Sequence, residues 1–290
     1  MKVVPVISDM QEVARAARAE GQTIGFVPTM GALHEGHLSL VRRAKQECDV
    51  TVVSVFVNPT QFGPNEDYLN YPRDPERDTA LLRKEGVDIL FAPTVEEIYP
   101  EGAQATVAPG GAARGLEGEF RPGYFEGVVT VVKKLFDAVR PHRACFGQKD
   151  AQQCVVIKQM VRELSLPVEI VICPTVREQD GLAMSSRNAY LNAEERGAAL
   201  VLHRSLSRTR ERLEAGERDA GKLAAEVLAV LAAEPLAKVD YAAVVDAETF
   251  QSVERVEGPA LIPLAVWIGR ARLLDNLRVD YADGTFSFQL

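Results

Sequence analysis

Cysteine is sparse in this sequence and unpatterned: Cys48, Cys145, Cys154 and Cys173 lie in or beside apolar runs, with no CxxC spacing. That excludes a zinc ribbon and a disulfide-stapled scaffold, and it predicts reduced core thiols. No apolar stretch approaches membrane-spanning length, and the opening MKVVPVISDM has no long apolar segment of the secretory kind. The expectation is a cytoplasmic chain without a membrane partner. Positive charge is in short supply, with 33 Lys and Arg against 41 Asp and Glu and a formal net charge of -8. Such a surface repels polyanions, which argues against nucleic acid as a partner, and a small anionic substrate must be met by a local basic pocket. A GxxxxGK[S/T] phosphate loop is absent, as are internal repeats and low-complexity segments.

What is present is a globular composition: 290 residues, 47% hydrophobic and 26% charged, enough for one large domain or two moderate ones. Up to about residue 178, short β-branched runs (TIGFV, VTVVSVFV, VDILFAP, ACFG, VEIVICP) read as buried strands. They alternate with amphipathic helical patterns (HLSLVRRAKQEC, DPERDTALLRKEG, GVVTVVKKLFDAV, AQQCVVIKQMVREL). Strand and helix in alternation predict an α/β fold, a Rossmann-like doubly wound parallel sheet. After the loop REQDGLAMSSRN the pattern changes. Residues 193–216 and 220–234 read as alanine-rich helices, and VDYAAVVDA and LIPLAVWIGRARLL as two longer strands with a polar end, DYADGTFSFQL. The expected division is a Rossmann-like domain over 1–178 and a smaller C-terminal α+β domain over 179–290.

The sequence holds only four histidines, and two of them fall in one short turn, FVPTMGALHEGHLSL. In doubly wound sheets ligands bind at the carboxyl ends of strands, where a glycine-bearing turn opens a helix. Here Pro28 is expected to end the strand, Gly31 to let backbone approach a ligand, and Gly36 to precede the helix. His34 and His37, three apart, would share a face and converge on one phosphate. The alternative is that one histidine caps the helix and the other packs.

Three further stretches carry polar groups where a strand gives way to a loop. In CFGQKDAQQC, Lys149 offers a point charge for a phosphate, Asp150 an acceptor for a ribose hydroxyl, and Gln153 both donor and acceptor. In DGLAMSSRNAYL, Ser185, Ser186 and Arg187 form a compact anion clamp. In FVNPTQFG, Asn58 and Gln61 are neutral amides able to bond a carboxylate or hydroxyl. Each also reads as ordinary capping or turn chemistry: a capped helix, a Ser-Ser cap with Arg187 solvated, an Asn-Pro turn.

Taken jointly, PTMGALHEGH, FVNPTQFG, RPGYFEGVVTVV, FGQKD-QQ and PTVREQDGLAMSSRN resemble the pantothenate synthetase (pantoate–β-alanine ligase) family of the HxGH nucleotidyltransferase superfamily, over essentially the whole chain. The resemblance implies ATP-dependent joining of pantoate to β-alanine through an enzyme-bound pantoyl adenylate, with Mg²⁺, usually in a homodimer. It further implies that Met30, Gly31, Ala32, Leu33, His34, Glu35, Gly36 and His37 contact ATP, together with Gly147, Gln148, Lys149, Asp150, Val176, Met184, Ser185, Ser186 and Arg187. Gln61 would touch pantoate and β-alanine, and Gln153 pantoate. Asn58 is placed with them in the pantoate site, and His34, His37, Lys149 and Arg187 are assigned to the charge that develops during adenylation. No aspartate cluster announces a protein metal site. Two positions depart from the family pattern: Tyr124 stands where many relatives have histidine, and Gln148 where many have glutamate. Rival readings are an adenylyltransferase acting on a phosphate-bearing acceptor, a tRNA synthetase, disfavoured by the acidic chain, and a nucleotide sensor without catalysis.

Overall fold

The computed structural model describes residues 1–64, 66–102 and 106–290. The chain divides into two compact units, Met1–Gly147 with Val156–Cys173, and Gln148–Val155 with Pro174–Leu290.

The first unit is built on a six-stranded sheet, parallel throughout, in the order β1-β4-β3-β2-β5-β6. The strands are β1 (Lys2–Val4), β2 (Ile24–Thr29), β3 (Val50–Val55), β4 (Ile89–Phe91), β5 (Arg143–Gly147) and β6 (Glu169–Cys173). Helices α1 (Ile7–Ala19), α2 (Glu35–Glu47), α3 (Pro75–Lys84), α4 (Val95–Ile98), α5 (Glu117–Phe120) and α6 (Tyr124–Val139) flank it, and α7 (Ala151–Glu163) follows β5. The Rossmann-like expectation holds. β1, three residues at the sheet edge, has no sequence signal of its own, because so short a run shows no period.

From β2 the chain steps outward to β3 and β4, then returns to β5 on the other side, so the switch point lies between β2 and β5. Pro28 does not end β2, which runs on to Thr29 and pairs Pro28 with Ser54. It stands beyond Phe26, the last residue matched to β5, so its missing N–H interrupts no bond on that side. Val27, Leu33, Val41, Val53, Leu82 and Leu90 pack with Cys145 and Cys173 in one buried cluster. All four cysteines are free; Cys145, Cys154 and Cys173 are buried.

The second unit contains α8 (Ala193–Ala198), α9 (Leu200–Glu214), α10 (Ala220–Ala232) and an antiparallel sheet of order β11-β10-β9-β7, with β8 paired to β9. Its strands are β7 (Ala237–Ala242), β8 (Val245–Asp246), β9 (Ala260–Ile268), β10 (Ala271–Ala282) and β11 (Thr285–Gln289). The core joins Leu202, Leu206, Leu213, Leu223, Val227 and Leu231 of the helices to Ile262, Leu264, Val266 and Leu277 of the sheet. Several expectations fail here: VDYAAVVDA, expected as one strand, is divided between β7 and β8 at Ala243 and Val244. LIPLAVWIGRARLL is a hairpin rather than one strand, turning at Gly269, where φ is +54°. Almost every residue of β9 is buried on both faces, so the run shows no alternation that would betray the reversal. The polar end likewise turns at Asp283 and Gly284, both at positive φ, and returns as β11. The helix expected over 193–216 is two, α8 and α9, meeting at Ala199.

Candidate active site

The β2–α2 turn is shaped by local backbone chemistry and held by a distant helix. Thr29 Oγ1 donates to the Ser54 carbonyl at 2.7 Å and accepts from the Gly31 N–H at 3.2 Å. Gly31 and Ala32 then take positive φ, +81° and +51°. Such a conformation is strained for alanine and needs an outside anchor. Asp78 of α3 supplies it, accepting from the Ala32 N–H at 2.9 Å and the Leu33 N–H at 2.8 Å. Neighbouring Arg77 donates to the Leu33 carbonyl at 3.0 Å. Asp78 is 2% exposed, and a β-carbon on Gly31 would stand 3.0 Å from its Oδ2.

His34 is the N-cap of α2, its Nδ1 accepting from the Gly36 N–H at 3.2 Å. His37 Nδ1 accepts from the His34 N–H at 3.4 Å, completing a reciprocal capping box. The capping and ligand readings of the pair are therefore compatible. With Nδ1 accepting, each neutral ring carries its proton on Nε2, a donor on the opposite edge. The rings lie side by side, centroids 4.2 Å apart. Gly36 belongs to the first turn of the helix rather than preceding it. Leu33 is buried in the core and can offer a ligand only its backbone, and the Glu35 carboxylate pairs with Arg42.

The amides of FVNPTQFG form a second element of the same unit. Asn58 caps a short 3-10 turn, Pro59–Gln61. Its Nδ2 donates to Gln61 Oε1 at 3.1 Å and the Gly127 carbonyl at 3.2 Å, and its Oδ1 accepts from Tyr99 Oη at 2.9 Å. Because Gln61 Oε1 accepts from Asn58, the Gln61 NH₂ is the end turned away from that amide. Arg121 donates to the Gln61 carbonyl at 3.0 Å while bridging Glu66 at 2.6 and 2.7 Å. Burial works against the Arg121 cation, but hydrogen bonding to Glu66 and the field of Tyr124, Glu66 and Glu117 raise its pKa above the usual arginine value. A cavity of about 250 Å³, bordered by Met30, Gly31, Arg73 and Asp78, opens beside the turn. Its polar walls are committed internally, Asp78 to the turn and Arg73 to the carbonyls of Tyr68 and Tyr71.

In the second unit, Gln148–Asp150 form a 3-10 turn with Lys149 Nζ 3.3 Å from Asp150 Oδ1. Gln153 follows on α7. Val176 and Met184 are brought together by the bond from the Met184 N–H to the Val176 carbonyl, 2.9 Å. Ser185 Oγ accepts from the Arg187 N–H at 3.3 Å and caps the turn Ser186–Tyr190. At Gly181 (φ +96°) a β-carbon would run into the His203 ring, so the loop needs glycine there. The histidine turn and amides thus belong to the first unit, and Lys149, Asp150, Gln153, Val176 and Met184–Arg187 to the second.

Sequence reasoning missed Asp78, Arg77, Arg121, Asp275 and Asn276. Asp78 sits in a charged helix where one more carboxylate is unremarkable. Asp275 and Asn276 did leave a signal, two polar residues in the apolar run LLDNLRV. Among the described residues no group of His, Cys, Asp or Glu could hold a metal, and no helix is long and apolar enough to cross a membrane.

A parallel sheet whose switch-point strand ends in paired imidazoles at a helix N-terminus defines a nucleotide-binding α/β protein of the HxGH type. The model of the pantoate-beta-alanine ligase family matches residues 2–278. The chain belongs to that family. The pantothenate synthetase of Caldicellulosiruptor bescii is 55% identical over 280 residues, covering 97% of this chain and 99% of the relative. The crystal structure of pantothenate synthetase from Thermus thermophilus superposes with a TM-score of 0.90 at 47% identity, covering 95% and 98% of the two chains. A pantoate-beta-alanine ligase from Francisella tularensis, complexed with beta-gamma ATP and beta-alanine, has a TM-score of 0.77 at 37% identity, covering 95% and 97%.

Proposed function

We propose that this chain condenses pantoate with β-alanine to pantothenate, using ATP and passing through an enzyme-bound pantoyl adenylate. The observation that carries the reading is the β2–α2 turn, with two imidazoles whose Nδ1 atoms cap a helix N-terminus in a member of this ligase family. Support for the substrates comes from the Francisella tularensis relative and its complex with beta-gamma ATP and beta-alanine.

In the first step the pantoate carboxylate attacks the α-phosphorus and pyrophosphate leaves, so negative charge grows on the phosphate oxygens. His34, His37, Lys149 and Arg187 are the donors and cations assigned to that charge. Residues 30–37, 147–150, 176 and 184–187 hold ATP. Gln61 offers its NH₂ to pantoate and then to β-alanine, with Asn58 beneath it and Gln153 as the other pantoate contact. In the second step the neutral amine of β-alanine attacks the acyl carbonyl and AMP leaves. No protein nucleophile is needed, so Ser185 and Ser186 act as phosphate ligands rather than acyl carriers. Magnesium enters with the substrate as MgATP.

In this reading residues 1–178 carry the pantoate site and most of the ATP site, and 179–290 add Met184–Arg187 and cover the site to exclude water from the adenylate. The enzyme works as a cytoplasmic homodimer. The deciding experiment is ATP–pyrophosphate exchange with MgATP, with and without pantoate, omitting β-alanine. Exchange that requires pantoate is expected. Exchange without pantoate, or none from folded protein that binds ATP, would overturn the reading in favour of another acceptor or a sensor.

A further inference from the structure

Two adjacent residues of β10, Asp275 and Asn276, are each 2% exposed. Polar side chains buried in a strand destabilise the fold unless they are fully bonded, and here the bonds lead to the two segments of the second unit proposed above to hold ATP. Asn276 Nδ2 donates to the backbone carbonyls of Gln148 at 2.9 Å and Lys149 at 3.1 Å. Its Oδ1 accepts from Gln148 Nε2 at 3.0 Å. Asp275 takes both arms of the Arg177 guanidinium, at 2.7 and 2.8 Å, and Arg177 also donates to the Gly181 carbonyl at 3.0 Å. Arg177 is bridged to Ala183, directly before Met184.

We infer that Asn276 and Asp275 are positioning residues for ATP. Asn276 sets the turn that aims Lys149, and Asp275, through Arg177, sets the loop carrying Val176 and Met184–Arg187. Neither touches substrate. The inference rests on Lys149 being a phosphate ligand, as proposed above.

The same geometry accounts for Gln148. The Asn276 amide must keep Nδ2 toward two carbonyls, which leaves only Oδ1 for residue 148, and an amide donor satisfies it. A glutamate there would set a carboxylate against Oδ1. Rotating the Asn276 amide to meet it would withdraw Nδ2 from the turn. An amide at residue 148 therefore fits the Asn276 orientation found here.

The test is a double-variant cycle on the full chain, read by calorimetric binding of a nonhydrolysable ATP analogue with Mg²⁺ and by KM for ATP and β-alanine. Asn276→Ala should weaken analogue binding and raise KM for ATP roughly tenfold, the size of one lost charge-assisted bond, leaving KM for β-alanine unchanged. Lys149→Ala should weaken binding as well, and adding Asn276→Ala to it should cost little more, because the turn no longer carries a cation to aim. Additive losses, or wild-type ATP binding by folded Asn276→Ala, would overturn the positioning role while leaving Lys149 in place. Wild-type binding by Lys149→Ala would instead overturn the assignment of the turn, and this inference with it. Should Asn276→Ala not fold, Asn276→Asp, which keeps the side chain's shape but loses the Nδ2 donor to the turn, carries the same comparison.

Discussion

The Arg121 guanidinium lies 3.7 Å from the centroid of the Tyr124 ring, and the same guanidinium donates to the carbonyl of Gln61. Tyr124, which departs from the family pattern, therefore supports an arginine that binds the backbone carbonyl of Gln61, the residue proposed to contact pantoate. A stacked cation of this kind contributes roughly 0.5–2 kcal/mol. Histidine can also stack on Arg121, so Tyr124→His should keep activity near wild type. Tyr124→Ala should raise KM for pantoate several-fold while KM for ATP holds, which steady-state kinetics will read. Equal KM changes for both substrates would sink this assignment.

Asp78 anchors two backbone N–H groups of a strained turn. Asp78→Ala leaves both without their acceptor, a loss of roughly 2–4 kcal/mol in unfolding free energy. Displacing the imidazoles by about 1 Å should lower adenylation roughly a hundredfold. Urea unfolding and pyrophosphate exchange measure the two effects separately, and unchanged exchange in the variant would refute the anchor.

Gly127 of α6 is where the helix meets the Pro59–Gln61 turn. A β-carbon there would collide with the Thr60 carbonyl oxygen, and backbone cannot rotate aside. Gly127→Ala should destabilise by about 1–3 kcal/mol, the usual range for overpacking. It should also displace Gln61 and raise KM for pantoate. Wild-type melting together with wild-type KM would show that the turn can yield.

His142 and His203 set a pH dependence of stability. Burial pushes both pKa values below the ordinary histidine value, helped at His142 by Arg18 and at His203 by Arg177. His142 Nδ1 also accepts from the Ile24 N–H at 2.9 Å, where β2 begins. The unfolded chain takes up these protons first. Their contribution is therefore complete above about pH 6.5 and is lost as pH falls through the lowered folded values. Melting temperature should drop on acidification across that window, and His142→Asn should flatten the drop. A melting temperature that rises or holds would contradict the sign.

The motifs were legible because each is local. The spacing of His34 and His37 is imposed by one helical turn, and Ser185 and Asn58 cap the turns their own sequences suggest. Alternating apolar runs likewise announce a parallel sheet, since strand and helix periods are properties of neighbouring residues. The C-terminal hairpin was illegible for the converse reason. Its first strand is buried on both faces, and burial erases the alternation by which a reversal is recognised.

The class of sheet, the turns that bear the site residues and the family they resemble could all be read from the order of amino acids. What holds those turns in place emerges only in three dimensions. Asp78 reaches Ala32 across 46 residues and Asn276 reaches Gln148 across 128. Many of the chain's 41 acidic residues could have served as such an anchor. A long-range polar partner is selected by the path of the backbone through space, which no local period encodes.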